Sequence, residues 1–258
     1  NAYDHCETIG NPAVETRPFE AIAEVAEEAG VPLFVDNTFA TPALCRPLEH
    51  GADVVWSSTT KWLHGAGTTV GGVVVDGGTF PWDHPDADYP ELAGPNPAYG
   101  VDFAERFGDR ALAAAVRYRS LRAIGATQSP FDAWATLAGT ETLAPRMARH
   151  CANARHVAEA LSDHPAVEWV RYPGLPDHPT HDAASEYLDG YGGVVVFGLA
   201  GGYEAARRLC EGVELVSFLS NVGDAKSLIV HPASTTHSQL SEAERTAAGV
   251  ESNMVRLS

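Results

Sequence analysis

A chain of 258 residues with 45% apolar and 20% charged content and a mean hydropathy of −0.13 suits one large domain or two small ones. It lies outside the disordered and membrane-spanning classes. Seventeen basic residues against 34 acidic ones leave a net charge of −17, which excludes nonspecific attraction to nucleic acid or anionic lipid. In chain order, Thr16 is expected to cap a helix with Pro18 in its first turn and Ala21, Ile22, Val25, Ala26 and Ala29 at helical spacing before Gly30. The run Val31-Pro32-Leu33-Phe34-Val35 then predicts a buried strand ending in Asp36 and Asn37. Residues 53–57 and 72–76 repeat the strand pattern, and a Pro-, Gly- and Asp-rich excursion covers 77–100. Helical patterning follows over 103–124, from Phe131, and over 141–161. Strand candidates lie at 167–171, 193–199, 227–231 and in the Met254-Val255-Arg256-Leu257 run. Strands alternating with helices predict an α/β layer with ligands at the strand ends, then a smaller α+β unit.

The four cysteines, Cys6, Cys45, Cys151 and Cys210, are scattered and form no CxxC pair. No disulfide framework or zinc site is expected, and a reducing cytoplasm is the expected compartment. The chain opens on Asn1, and no targeting pattern follows it. Fifteen of the 17 basic residues are arginine, and the two lysines are Lys61 and Lys226. An acidic, lysine-poor chain fits a protein kept soluble in concentrated salt, and it fits equally an Arg- and Ala-rich codon bias. For mechanism the scarcity is useful, because chemistry that needs a primary amine has two candidates.

Lys61 follows a buried-type strand and the hydroxyl cluster Ser57-Ser58-Thr59-Thr60, and glycines follow it. Together with Glu7-Thr8-Ile9-Gly10-Asn11-Pro12, Val35 to Pro42, Asn221 to Leu228, His231 to His237 and Val255 to Ser258, this ordered series resembles the Cys/Met-metabolism family of pyridoxal-phosphate enzymes over nearly the whole chain. The Ile-Gly-Asn-Pro variant and the long excursion are most similar to its O-acetylhomoserine sulfhydrylase branch. The resemblance implies a fold-type I α/β transferase, with residues 1–125 forming the C-terminal part of a large cofactor-binding domain and 126–258 a smaller α+β domain. It implies pyridoxal 5'-phosphate as cofactor, O-acetylhomoserine and sulfide as substrates, a homo-oligomer built as a dimer of dimers, and a place in methionine biosynthesis. Cystathionine γ-synthase, cystathionine γ-lyase and methionine γ-lyase share the early steps and stay open as alternatives, as does a noncatalytic fragment.

The cofactor forms a Schiff base with a lysine and takes up the electrons left when an α-proton departs. Lys61 is the candidate for the imine and for the proton shuttle, whereas Lys226 reads as exposed or structural. Asp36, at the end of an apolar strand, suits the carboxylate that keeps the pyridine nitrogen protonated. Ser58 and Thr60 sit two apart, on one side of an extended segment, and are the candidate phosphate donors, with an ST-turn or a plain strand ending as the alternative for each. Arg256 suits bidentate capture of a substrate carboxylate. By resemblance, Asn11 lies near the phenolic oxygen and the substrate carboxylate, and Thr38 and Asn221 line the site. His231 and His237 do not have a metal-ligand spacing, and no metal is expected. Trp62, Trp134 and Trp169 read as core.

Two departures from the family pattern stand out: Ser57 where a histidine is common, and His64-Gly65-Ala66-Gly67 with the histidine displaced. Relatives also carry a long N-terminal part with a ring-stacking tyrosine and phosphate-holding amides, so the chain reads as an internal portion of such an enzyme.

Overall fold

A computed structural model describes residues 3–84, 88–96, 98 and 100–258. The first sheet has the order β1-β2-β3-β4. Strands β1 (Asp4–Glu7), β2 (Leu33–Asp36) and β3 (Val54–Ser58) run parallel, and β4 (Gly72–Asp76) returns antiparallel to β3. Helix α1 (Phe19–Glu28) makes the crossover from β1 to β2, and the short α2 (Thr41–Leu44) follows β2. Parallel pairing puts Glu7 opposite Asp36 and leaves Ser58 at the end of the next strand. Three polar side chains therefore emerge at one rim of the sheet, where ligands bind α/β layers.

Helices α3 (Phe103–Phe107), α4 (Ala111–Val116) and α5 (Arg122–Ile124) break up the predicted 103–124 helix. Gly108, at φ +55°, ends α3, whereas α4 continues into α5 through a wider helical turn over Arg117–Leu121 flanked by right-handed helical backbone. The excursion at 77–100 has no helix or strand among its described residues, and residues 85–87, 97 and 99 lie outside them. It is more than surface, since its Trp82 and Leu92 are buried against Phe103, Ala111 and Ala115. Helices α6 (Pro130–Thr140) and α7 (Leu143–Ser162) lead into the second sheet.

That sheet has the order β5-β6-β9-β8-β7, with β5 (Val167–Arg171), β6 (Val195–Leu199), β7 (Ser217–Phe218), β8 (Leu228–Val230) and β9 (Met254–Leu257). All its pairs are antiparallel except β7 with β8. Helices α8 (His181–Tyr187), α9 (Gly202–Gly212) and α10 (Glu242–Ala247) complete it. One continuous core joins Leu33 and Val35 of the first sheet to Trp62, to Leu143 and Met147 of α7, and to Val196 and Met254 of the second sheet. The two sheets are thus tied through α7 and the segment after Lys61.

Two expectations are corrected. Thr16 does not cap α1: it is fully buried, its N–H donates to Thr180 Oγ1 at 3.0 Å, and the helix starts at Phe19 without a side-chain cap. Trp134 is not core. It is 63% exposed and forms an outward stripe on α6 with Phe131 and Leu137, because the opposite face carries the buried Thr136. Trp62 is fully buried as expected, and Trp169 is partly buried against the core. Met147 is fully buried in the core shared by the two sheets, so Met147→Ala is expected to cost about 2–5 kcal/mol through lost burial and the cavity left behind, read as a lowered urea midpoint.

Candidate active site

The rim of the first sheet is fixed by one local and one cross-strand bond from side chain to backbone. Asp36 Oδ1 accepts the N–H of Thr38 at 2.9 Å, and Thr38 Oγ1 accepts the N–H of Ser58 at 2.9 Å. Behind them Asn37 is buried. Its Oδ1 accepts from Thr8 Oγ1 at 2.9 Å, and its amide donates to the Cys45 carbonyl at 2.9 Å. Asp36, Thr38 and Ser58 thereby form one connected group on two neighbouring strand ends. A hydrogen-bonded carboxylate at such a rim is held at a set orientation.

After Ser58 the chain leaves the sheet and makes a single wide turn, Thr59–Leu63, with Lys61 at φ −96°, ψ −131° inside it. The change of backbone explains why two-residue alternation fails here. Thr60 does not share a free side with Ser58: its hydroxyl donates to Gly71 O at 3.3 Å and accepts from Gly71 N at 3.0 Å, closing the 59–71 segment. The Ser58 hydroxyl has no hydrogen bond among the described residues, so of the two phosphate candidates it is the one with a donor uncommitted. Gly71 leaves space for the Gln128 side chain, which a β-carbon there would overlap.

Lys61 Nζ donates to Asn221 Oδ1 at 2.5 Å. The same asparagine offers its backbone carbonyl to Arg256 Nη2 at 3.0 Å, while Arg256 Nη1 donates to Asn11 Oδ1 at 3.0 Å. Residues 11, 61, 221 and 256 thus form a second connected group, drawn from four distant parts of the chain. Arg256 is buried, on β9, and among the described residues it meets neutral oxygens and no carboxylate. Burial lowers the basicity of its guanidinium. Burial, with the Arg256 charge second, also holds the Lys61 amine below the ordinary lysine value. A partly buried amine beside a cation is a better base and nucleophile near neutrality than a surface lysine. Lys226 is exposed, with its amine 3.8 Å from Asp224.

Sequence reasoning missed two participants. Glu7 accepts the N–H of Asn11 at 2.8 Å and so holds the turn that presents Asn11 to Arg256. Burial raises its carboxyl, partly offset by that N–H and reinforced by the nearby Asp36 charge. It stands in the quoted Glu7 to Pro12 segment, but no pattern marks a glutamate as a backbone holder. Gly223, at φ +76°, lies flat on the lysine turn, where a β-carbon would come 2.6 Å from Trp62 N and 3.0 Å from Lys61 Cα. His231 is structural, with Nδ1 2.8 Å from Ser234 Oγ and Nε2 2.8 Å from the Ser252 carbonyl. Among the described residues no group of three or more His, Cys, Asp or Glu is placed to hold a metal.

Gly223→Ala should destabilise by about 1–3 kcal/mol, because both the positive φ and the contact oppose a β-carbon. Gly212→Ala, at a helix end with nothing within 4 Å, should be neutral or slightly stabilising, and paired urea melts check both. The lowered Lys61 amine also has a pH consequence. Since the folded chain releases this proton at lower pH than the unfolded chain, the unfolded state binds more protons between the two values, and stability from this group rises with pH toward 10.5. The stability difference between wild type and Lys61→Met should therefore shift in favour of wild type over that range in denaturant melts.

The model of the family "Cys/Met metabolism PLP-dependent enzyme" matches residues 4–258. A homocysteine synthase of Schizosaccharomyces pombe is 48% identical over 256 residues, covering 98% of this chain and 60% of the relative. O-acetyl-L-homoserine sulfhydrylase 1 of Thermus thermophilus is 50% identical over 255 residues, with the same shares of 98% and 60%. The chain thus spans about 60% of the length of the curated relatives it matches. Among solved structures, an O-acetylhomoserine (thiol)-lyase from Campylobacter jejuni containing N'-pyridoxyl-lysine-5'-monophosphate matches with a TM-score of 0.91 at 36% identity, over 98% of this chain and 61% of its own. The MetB protein of Corynebacterium glutamicum matches with a TM-score of 0.77 at 36% identity, over 98% and 57%. The fold is thus the fold-type I α/β architecture of these enzymes. Because the family match runs from the first described strand through the last, the chain belongs to the Cys/Met-metabolism family of pyridoxal-phosphate-dependent enzymes.

Proposed function

We propose that this chain carries the lysine side of the active site of an enzyme that makes homocysteine and acetate from O-acetylhomoserine and sulfide. One observation carries the reading: Asn221 holds both a basicity-lowered amine, Lys61, and a buried guanidinium, Arg256, that faces no carboxylate of the described chain. That donor set fits an aldehyde cofactor at the amine and an amino-acid carboxylate at the guanidinium. Bound there, pyridoxal 5'-phosphate supplies a reactive aldehyde and an electron sink for the substrate α-carbon.

The protein's own groups then divide the work. Asp36 holds a proton at the pyridine nitrogen, and Thr38 keeps that carboxylate oriented. Ser58 donates to the phosphate, while Thr60 shapes the turn from behind. Asn11 steadies the Arg256 fork and would help hold the cofactor at its phenolic oxygen. Arg256 takes the α-carboxylate, and Lys61 removes the α-proton and relays it. An acetyl ester leaves the γ-carbon more readily than a thioether, and sulfide needs no acceptor pocket, whereas cysteine brings a carboxylate and an ammonium that need partners of their own. The names of the S. pombe and T. thermophilus relatives point the same way. The reading places the enzyme in the cytoplasm, as a homo-oligomer acting in methionine biosynthesis, and divides the chain near residue 125, between its two sheets.

The test uses the full-length protein that contains this chain, supplied with pyridoxal phosphate. Borohydride is expected to fix the cofactor on Lys61 and not in Lys61→Ala, and fixation on Lys226 would overturn the assignment. Arg256→Met should raise KM for O-acetylhomoserine by about 100-fold while leaving cofactor fixation in place. With sulfide and cysteine in competition, homocysteine should predominate. Mainly cystathionine would move the reading to a cystathionine γ-synthase, and rapid α-keto acid release from methionine would move it to a γ-lyase.

A further inference from the structure

Arg146, on α7, donates four hydrogen bonds, and none of them goes to a carboxylate. Nη1 reaches the Trp62 carbonyl at 2.8 Å, and Nη2 reaches the Gly139 carbonyl at 2.8 Å and the Leu63 carbonyl at 3.4 Å. Nε reaches Thr142 Oγ1 at 3.1 Å. Trp62 and Leu63 are the two residues directly after Lys61, and both are buried. No backbone N–H from outside the turn reaches either carbonyl among the described residues. The turn's own closure consists of His64 N to Thr59 O at 3.2 Å and Gly65 N to Lys61 O at 2.8 Å. Carbonyls at the C-terminal end of a helical turn carry partial negative charge and need donors, and a planar guanidinium serves several at once.

The surrounding glycines are fitted to this clamp. Gly65, at φ +77°, has no room for a β-carbon, which would fall 2.6 Å from Arg146 Cζ. A β-carbon on Gly139 would fall 2.9 Å from His64 Cα. Gly223 closes the other side, against Lys61 Cα and Trp62 N. The lysine turn is therefore gripped between a cation on α7 and a glycine loop. A lysine stem is four carbons long and flexible, so the place of its amine depends on how firmly the backbone under it is held.

We infer that Arg146 is a positioning residue: by capping the Trp62 and Leu63 carbonyls it fixes the turn that carries Lys61, and thereby sets where the Lys61 amine stands. The inference rests on the reading of Lys61 as the cofactor lysine.

The experiment compares wild type with Arg146→Met in the full-length protein. Without cofactor, acetic anhydride at limiting dose modifies Lys61 and Lys226, and peptide mass spectrometry reads their ratio, with the exposed Lys226 as internal standard. Arg146→Met is expected to raise the Lys61 to Lys226 ratio several-fold and to slow the capture of pyridoxal phosphate at Lys61 by about tenfold, because a displaced reacting group loses its alignment. Arg146→Lys should recover part of both. An unchanged ratio and an unchanged capture rate, even with a lowered melting temperature, would show Arg146 to be merely structural and overturn the inference. Should Arg146→Met not fold, Arg146→Gln, which keeps a donor for one carbonyl, decides in the same way with smaller shifts. If wild type captures no cofactor at Lys61, the functional reading fails by itself, and the acylation ratio still decides whether Arg146 places the amine.

Discussion

The local structure of the site depends on how two cations are kept close together without a carboxylate between them. Like charges in a partly buried place repel by energies on the order of a kcal/mol or more, and each loses hydration on burial. Asn221 answers both costs with two neutral oxygens, the side-chain one for Lys61 and the backbone one for Arg256. The loop that carries Asn221 lies close to the lysine turn at Gly223, and Ala225 N donates to Gly65 O at 2.8 Å. The consequence for chemistry is direct: a guanidinium with neutral partners retains its attraction for an incoming carboxylate, and an amine beside it gives up its proton more easily.

The strand rim serves a different purpose. Asp36 holds the turn at the end of its own strand through Thr38 N–H, and the Thr38 hydroxyl reaches across to Ser58 N–H on the neighbouring strand, so Asp36, Thr38 and Ser58 hold each other in a chain. The lysine group is held by loops and by β9. The two meet through continuity of the chain, from Ser58 to Lys61 and from Glu7 to Asn11, where Glu7 turns the segment back toward Arg256. A rigid sheet edge next to a loop-held amine suits a cofactor that stays in place while the group bonded to it is exchanged.

Helix α7 connects this chemistry to the rest of the fold. Leu143 and Met147 enter the core shared by both sheets, and Arg146, between them in sequence, turns toward the lysine segment. One helix thus buries one face and clamps with another, so stability and site geometry draw on the same element.

Much was legible in the residues themselves. The apolar runs ending in Asp36 and Ser58 announced parallel strands with polar ends, because burial on both faces demands near-continuous apolar sequence. The count of two lysines confined the amine to Lys61 or Lys226. Local pattern failed where partners lie far along the chain. Strand β1 reads Asp-His-Cys-Glu, without an apolar run, and exists because β2 pairs with it. Thr16 looks like a cap until Thr180 takes its N–H. Thr60 looks like Ser58's companion until the backbone leaves the strand and Gly71 claims its hydroxyl. The linkage of residues 11, 61, 221 and 256, and the choice of Trp62 and Leu63 carbonyls by Arg146, were decided by tertiary structure alone. Hydrogen bonds between segments more than thirty residues apart leave no periodicity in sequence, since each residue type is compatible with many partners and only the packed core selects one.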